Sequence, residues 1–371
     1  MTGADRVTLF LCGDVMTGRG LDQALPFHCD PVLYEDYVKD ARDYVRLAER
    51  TNGRFYRPLG FAEVWGEALA ELDRARPALR LVNFETSVTT SPDYWGEKGI
   101  HYRMHPGNIP VLTAAGIGCC SLANNHVVDW GYAGLLETLD ALATAGIKGV
   151  GAGRNLLEAR APAKFPLLPE RRILVFAVGA WTSGIPFDWA ATKDKPGVDL
   201  LPDLSVATAD LLAERIGSSR RPGDLVVLSI HWGPNWRFEV SNDEQDFAHR
   251  LIDSGAIDVL HGHSSHHVKG VEVYRGKLVL YGCGDFLDDY EGIGGHESFR
   301  GDLGLVYLPS FEANGELASL ELVPTTVRRF QVRRADPEGA AWLQETLQRE
   351  GRRFGTSAWL DGEGRLRLRW G

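Results

Sequence analysis

A chain of 371 residues with 44% hydrophobic content is long enough to bury the core of one large α/β domain, or of one domain with a small appendage. Its formal charge of −10 argues against a nucleic-acid-binding face, which needs clustered Lys and Arg, and it contains no apolar run of about 18 residues that would span a membrane. The five cysteines are odd in number and lack CxxC spacing, so they suggest neither a disulfide framework nor a zinc ribbon, and reduced, mostly buried thiols are expected.

The first predicted strand, VTLFLCGD, begins within seven residues of the N-terminus in place of a basic, apolar and cleavable leader, so the expected setting is cytoplasmic. It delivers Asp14 to a glycine-rich turn, GDVMTGRG, where Gly13, Gly18 and Gly20 permit tight backbone turns. Residues 22–79 read as a helical insert rich in Tyr, Trp and charge, suited to a lid over a site or to a helical layer on a sheet. The strand LRLVNFE then ends at Glu85, and GIGCCSLANNH runs into ANNHVVDWG with Asn125, His126 and Asp129. A helix is predicted over 131–147 from apolar positions three and four apart.

RRILVFAVG and DLVVLSIHWG read as further buried strands, the second ending at His231, and a helix is predicted over 243–255. AIDVLHGH opens the run HGHSSHHVKG, which places His261, His263, His266 and His267 within seven positions of a chain that has eleven histidines. Beyond it the pattern changes to hairpins, VEVYRGKLVLYGCGDF with Asp285 at its end, then LGLVYLPSF and LASLELVPTTVRRFQV. The last segment reads as one helix and a closing pair of strands. The expected organisation is a layered α/β domain over 1–333 with two sheets and outer helices, carrying the insert at 22–79, and an appendage at 334–371 packed on the same domain.

These strand ends thus carry Asp, Glu, Asn or His. Each residue alone is more often structural than a ligand, but strand C-terminal ends converge on one crevice in α/β folds, so together they predict a metal site. Oxygen and imidazole donors without thiolate favour Ca, Mg, Mn or Zn.

The order GDVM, NFETSVT, ANNHVVDWG, HWGPNW and GHSSHHVKGVEVYRGKLVLYGCGDF resembles the poly-γ-glutamate (capsule) synthesis protein family, a branch of the calcineurin-like metallophosphoesterases, over roughly residues 7–310. The resemblance implies a four-layer α/β/β/α sandwich. It implies Asp14 as a ligand, Glu85 as a carboxylate bridging two metals, Asn125 and His231 as ligands of one metal, and His263 and His266 sharing the last motif. His126 corresponds to the histidine that transfers protons. Two departures stand out: Met16 occupies a position where the superfamily has His, and the last motif reads Gly262, His263, Ser264, Ser265, His266, with its second imidazole displaced by one residue. The first departure predicts one divalent metal, with a second weak or absent.

One hard or borderline metal among several His and Asp residues suits proton abstraction beside a carbonyl. Inversion at an α-carbon needs an acid/base group on each face. The candidate pairs are His126 with Asp14 or Asp129, and His266 or His296 with Asp285. Some relatives in the branch that this chain resembles epimerise the C-terminal residue of lasso-peptide precursors, so the resemblance implies a peptide epimerase. Arg19 and Arg103 are the candidates to hold the peptide's C-terminal carboxylate. The alternatives are a metal-dependent phosphoesterase and a capsule or poly-γ-glutamate binding protein without turnover. No nucleic-acid or membrane partner is expected, and the sequence does not set the oligomeric state.

Overall fold

In the computed structural model, residues 6–168 and 171–371 are described. The chain forms a mixed α/β fold with several sheets. Among the described residues one sheet has ten strands. One half of it is the parallel set Val7–Val15, Leu79–Phe84, Cys119–Ser121 and Lys148–Val150, the last at the edge. Antiparallel strands Leu303–Phe311 and Leu317–Arg328 extend it on the other side of Val7–Val15. A second sheet of seven strands is built around the parallel strands Arg171–Ala180, Leu225–His231, Val259–His263 and Lys277–Leu280.

Alternation along these strands divides the core. Leu9 and Leu11 lie in one hydrophobic cluster with Ile173, Val175 and Ala177 of the other sheet, whereas Phe10 and Cys12 point the opposite way, into a cluster with the helices Arg42–Asn52, Ala68–Ala75 and Gly131–Thr144. Leu174, Phe176 and Val178 likewise turn toward the helices Val206–Ser219 and Asn242–Asp253. Each fully buried Leu, Ile or Phe adds about 1.5–3 kcal/mol. Both faces of both sheets are covered, which is why their strands read as near-continuous apolar runs.

The predicted helices over 131–147 and 243–255 are found at Gly131–Thr144 and Asn242–Asp253, the second closed by a capping box of Ser241 and Glu244. Segment 22–79 is less helical than its composition predicts. Helix is confined to Arg42–Asn52 and Ala68–Ala75 beyond the short turn Arg19–Asp22, because Pro26, Pro31, Pro58, Gly53 and Gly60 interrupt the pattern. At the other end, Thr356–Leu360 and Leu366–Trp370 pair with each other and join the ten-stranded sheet through Glu321↔Arg367.

Strand register places the site. Asp14 lies beside Asn83 on one neighbour and beside Asp285 on the other. In the second sheet His231 is paired with His263.

Candidate metal and acid/base site

Two sets of ligand atoms, each lying within 4.8 Å of one another, meet at these strand ends: Asp14, His231 and His263, and Asp14, His266 and Asp285. All five residues are buried. Gly13 allows Asp14 to stand here, since a Cβ on it would lie 1.6 Å from the carbonyl oxygen of Gly284.

The hydrogen bonds around the first set fix its tautomers. His261 Nε2 is 2.7 Å from the carbonyl oxygen of Cys12, which only accepts, so Nε2 carries the proton and Nδ1 is bare. Burial lowers the His261 pKa to about 4, in keeping with a neutral ring. Ser229 Oγ, 3.1 Å from that bare Nδ1, uses its single proton there and accepts from His263 Nε2 at 2.8 Å. His263 Nδ1 is therefore a free lone pair, and it faces His231 Nδ1 at 2.8 Å. On the other edge of His231, Nε2 lies 3.0 Å from Asn125 Oδ1. Asn83 Nδ2 approaches Nδ1 at 3.4 Å and donates to Asp14 Oδ1 at 2.7 Å.

Carboxyl groups crowd beside these nitrogens. Burial, then the neighbouring Asp285, push the Asp14 carboxyl up to about 7, and burial with Asp14 and Asp285 raises Glu85 well above the ordinary range. Asp14 Oδ2 and Asp285 Oδ2 are buried without a hydrogen-bond partner. Orphaned carboxylate oxygens, an outward lone pair on His263 and an oxygen/imidazole donor set fit a divalent cation of the hard or borderline class.

Two histidine–carboxylate pairs stand here, one beside the cluster and one within it. His126 Nδ1 is 2.6 Å from Asp129 Oδ2, and His266 Nδ1 is 2.8 Å from Asp285 Oδ1. Asp129 also accepts from Tyr102 N at 2.7 Å and from Lys98 Nζ at 2.5 Å; burial raises its pKa and these donors oppose the rise, so Oδ2 acts as the acceptor and His126 Nδ1 carries the proton. The Nε2 edge of His126 then faces Glu85 Oε1 at 3.7 Å. Burial, reinforced by Lys98 and His266, holds the His126 pKa well below normal. Burial would lower His266 too, but Asp285 outweighs it and lifts His266 to about 8.

Of the residues singled out in the sequence, Asp14, His231, His263, His266 and Asp285 come together, with Glu85, Asn125, His126 and Asp129 around them. The pairings that the sequence left open are resolved: His126 meets Asp129, and His266, not His296, meets Asp285. His296 is exposed and stacks on Trp236, ring centroids 4.1 Å apart. The carboxylate common to both ligand sets is Asp14, not Glu85, whose Oε2 accepts from Asn83 at 3.1 Å. The altered last motif turns at Ser264, a left-handed residue with φ of 100° whose Oγ donates to Gly233 O, and this directs His266 toward Asp285.

The two arginines do not present open guanidinium groups. Arg19 is buried and bonded to Asp289, to Glu35 at 3.0 Å and to Tyr44 at 3.0 Å, while Arg103 donates to the carbonyls of Ser91 and Asp30 and lies 3.6 Å over the Trp130 ring. Sequence reasoning also missed Asn83, although its spacing of two from Glu85 on a strand puts both on one face. Lys98 and Tyr290 left no periodic signal, since both lie in irregular segments.

Residues 8–290 match the family model described as bacterial capsule synthesis protein PGA_cap. A probable polyglutamine synthesis accessory protein of Mycobacterium tuberculosis is 50% identical over 353 residues, covering 95% of this chain and 93% of that protein. The PGA biosynthesis protein CapA of Bacillus subtilis is 30% identical over 56% of this chain and 52% of its own length. The capsule biosynthesis protein CapA of Bacillus anthracis is 25% identical over 77% of this chain and 60% of its own length. No described helix is long and apolar enough to cross a membrane.

Proposed function

The chain belongs to the bacterial capsule synthesis protein family, and from that premise we propose that it is a metal-dependent peptide epimerase, exchanging the α-proton of a residue in a peptide-like substrate. The observation that carries this reading is the pair of histidine–carboxylate couples, at 2.6 and 2.8 Å, one turned toward Glu85 and the other sharing a ligand set with Asp14. Inversion needs a base on one face and an acid on the other. His126 Nε2, bare because Nδ1 donates to Asp129, is the group to remove the α-proton, and His266, held by Asp285, is the group to return one. Asp14, His231 and His263 would hold a divalent metal, which when bound polarises the substrate carbonyl and acidifies the α-carbon. The relatives named for polyglutamine and PGA synthesis favour a glutamate-containing chain as the substrate, with the C-terminal residue of a lasso-peptide precursor as the narrower alternative.

A second reading, metal-dependent hydrolysis of a phosphoester, is favoured by one feature: Asp14 is common to two ligand sets, as a carboxylate between two metals would be. Incubation in D₂O distinguishes them. Epimerisation places one deuterium at an α-carbon of glutamate oligomers or precursor peptide and inverts that residue. Phosphodiester cleavage without α-exchange sinks the epimerase and supports the hydrolase. Metal binding with neither reaction points to an accessory protein that captures polymer without turnover.

We also infer the four-layer calcineurin-like sandwich, with the 22–79 insert and the 334–371 appendage on the same domain. Support comes from the three hydrophobic clusters, one uniting residues of both sheets and two joining a sheet to helices. A cytoplasmic setting is part of the same proposal.

A further inference from the structure

We propose that the Tyr290 hydroxyl is the hydrogen-bond donor to the anionic oxygen that develops on the substrate between His126 and His266. The inference rests on the acid/base reading above and names a residue that reading leaves out.

Tyr102 sets its ring edge-to-face on His126, centroids 4.4 Å apart, and Tyr290 does the same to His266 at 5.5 Å. The two hydroxyls meet at 2.7 Å, so four rings form a continuous wall from one acid/base pair to the other. Two hydroxyls carry two protons, and only one lies between the oxygens. The other contact of Tyr290 is Met16 Sδ at 3.7 Å, so Tyr102 donates to Tyr290 and Tyr290 points its own proton at a thioether, a weak acceptor. A carbonyl or carboxylate oxygen of a substrate would accept that proton far better than sulfur does.

Met16 stands where the resemblance leads one to expect an imidazole, so this corner of the site lacks a metal ligand and offers a hydroxyl donor in its place. The wall is rigid. Arg19 lies beneath it, its guanidinium carbon 4.6 Å from the Tyr102 ring centroid and 5.5 Å from that of Tyr290, anchored by Asp289 and Glu35. A phenol is protonated at neutral pH and is therefore a donor.

The step balances without an oxidant or reductant. His126 Nε2 takes the α-proton, the C–H electron pair becomes the C=C bond of an enolate, and the carbonyl π pair moves to oxygen. Tyr290 stabilises that oxygen by a hydrogen bond and keeps its own proton. The imidazolium of His266 then returns a proton to the opposite face of the carbon, and the carbonyl re-forms.

Two measurements test the assignment. Solvent deuterium incorporation into glutamate oligomers should fall about a hundredfold in kcat for Tyr290→Phe with KM nearly unchanged, because the bond forms only as charge develops. Tyr290→Phe also leaves the buried Tyr102 hydroxyl without its acceptor, so the variant is assayed well below its own melting temperature, and Tyr102→Phe, which leaves the Tyr290 hydroxyl in place, should retain the greater part of the rate. A rate within twofold of wild type, or a loss confined to KM, overturns the proposal. The second measurement needs no turnover: 19F NMR of protein labelled with 3-fluorotyrosine, with Tyr290→Phe identifying the signal, is followed during titration with oxalate as an enolate mimic. The Tyr290 signal should shift, and Tyr290→Phe should weaken oxalate binding at least fivefold. A stationary signal overturns the assignment even where exchange is observed. A shifted signal without any exchange in the wild type upholds the donor and sinks the epimerase reading instead.

Discussion

Nδ1 of His231 lies 2.8 Å from Nδ1 of His263, and the chain Cys12 O, His261, Ser229 leaves the His263 nitrogen without a proton. Two buried imidazole edges turned toward each other, beside the partnerless Asp14 Oδ2, form a site arranged for a cation.

Ser229 sets that arrangement from behind. Ser229→Ala releases His263 Nε2 and lets the ring adopt the other tautomer, so Mn²⁺ or Zn²⁺ affinity should fall about 10- to 100-fold. Competition against a chromophoric chelator measures it, and an unchanged affinity would sink the tautomer assignment.

In metal-free protein the His266–Asp285 couple makes stability pH-dependent. The folded pKa of His266, about 8, exceeds the unfolded value of about 6.5, so its contribution is complete below the unfolded value and is lost as pH rises through about 8. Asp14, raised to about 7, acts in the same direction at lower pH, since its folded form also binds the proton more tightly. Urea unfolding in chelator should show the stability gap between wild type and His266→Gln shrinking by about 2 kcal/mol from pH 6 to pH 9. A gap independent of pH contradicts the ion pair.

Arg19 is predicted to be structural. Arg19→Met leaves Asp289 and Glu35 buried without their cation, and should cost about 3–5 kcal/mol by chemical denaturation. A variant of wild-type stability that lost only peptide affinity would restore the carboxylate-binding role expected from the sequence.

Lys98 holds the His126 loop, donating to Asp129 and to the backbone carbonyl of Asn125. Lys98→Met should lower α-exchange at least tenfold, within the range of one acid/base group. Long-range 1H–15N spectra should show His126 shifting from the Nδ1–H tautomer to a mixture, with partial rescue by Lys98→Arg. Retention of a single tautomer in Lys98→Met would remove its positioning role.

The strand ends were legible because near-continuous apolar runs that stop at Asp14, Glu85, His231, His263 and Asp285 announce buried strands delivering polar groups to one edge. That pattern, with the helices that begin at Gly131 and after Ser241, determined the α/β class and the candidate residues at the strand ends. Which residues touch was decided only in three dimensions. Asp14 and Asp285 are 271 positions apart and become neighbours through parallel pairing, and Asp129 lies three positions from His126 across a turn. Nothing in local sequence distinguishes an arginine open to a ligand from one enclosed by Asp289 and Glu35, because enclosure depends on segments distant in the chain. The same holds for Tyr290, whose hydroxyl gains meaning only from Tyr102 and Met16 folding against it. Local periodicity is a property of neighbouring residues, whereas desolvation and partner choice are properties of the packed whole.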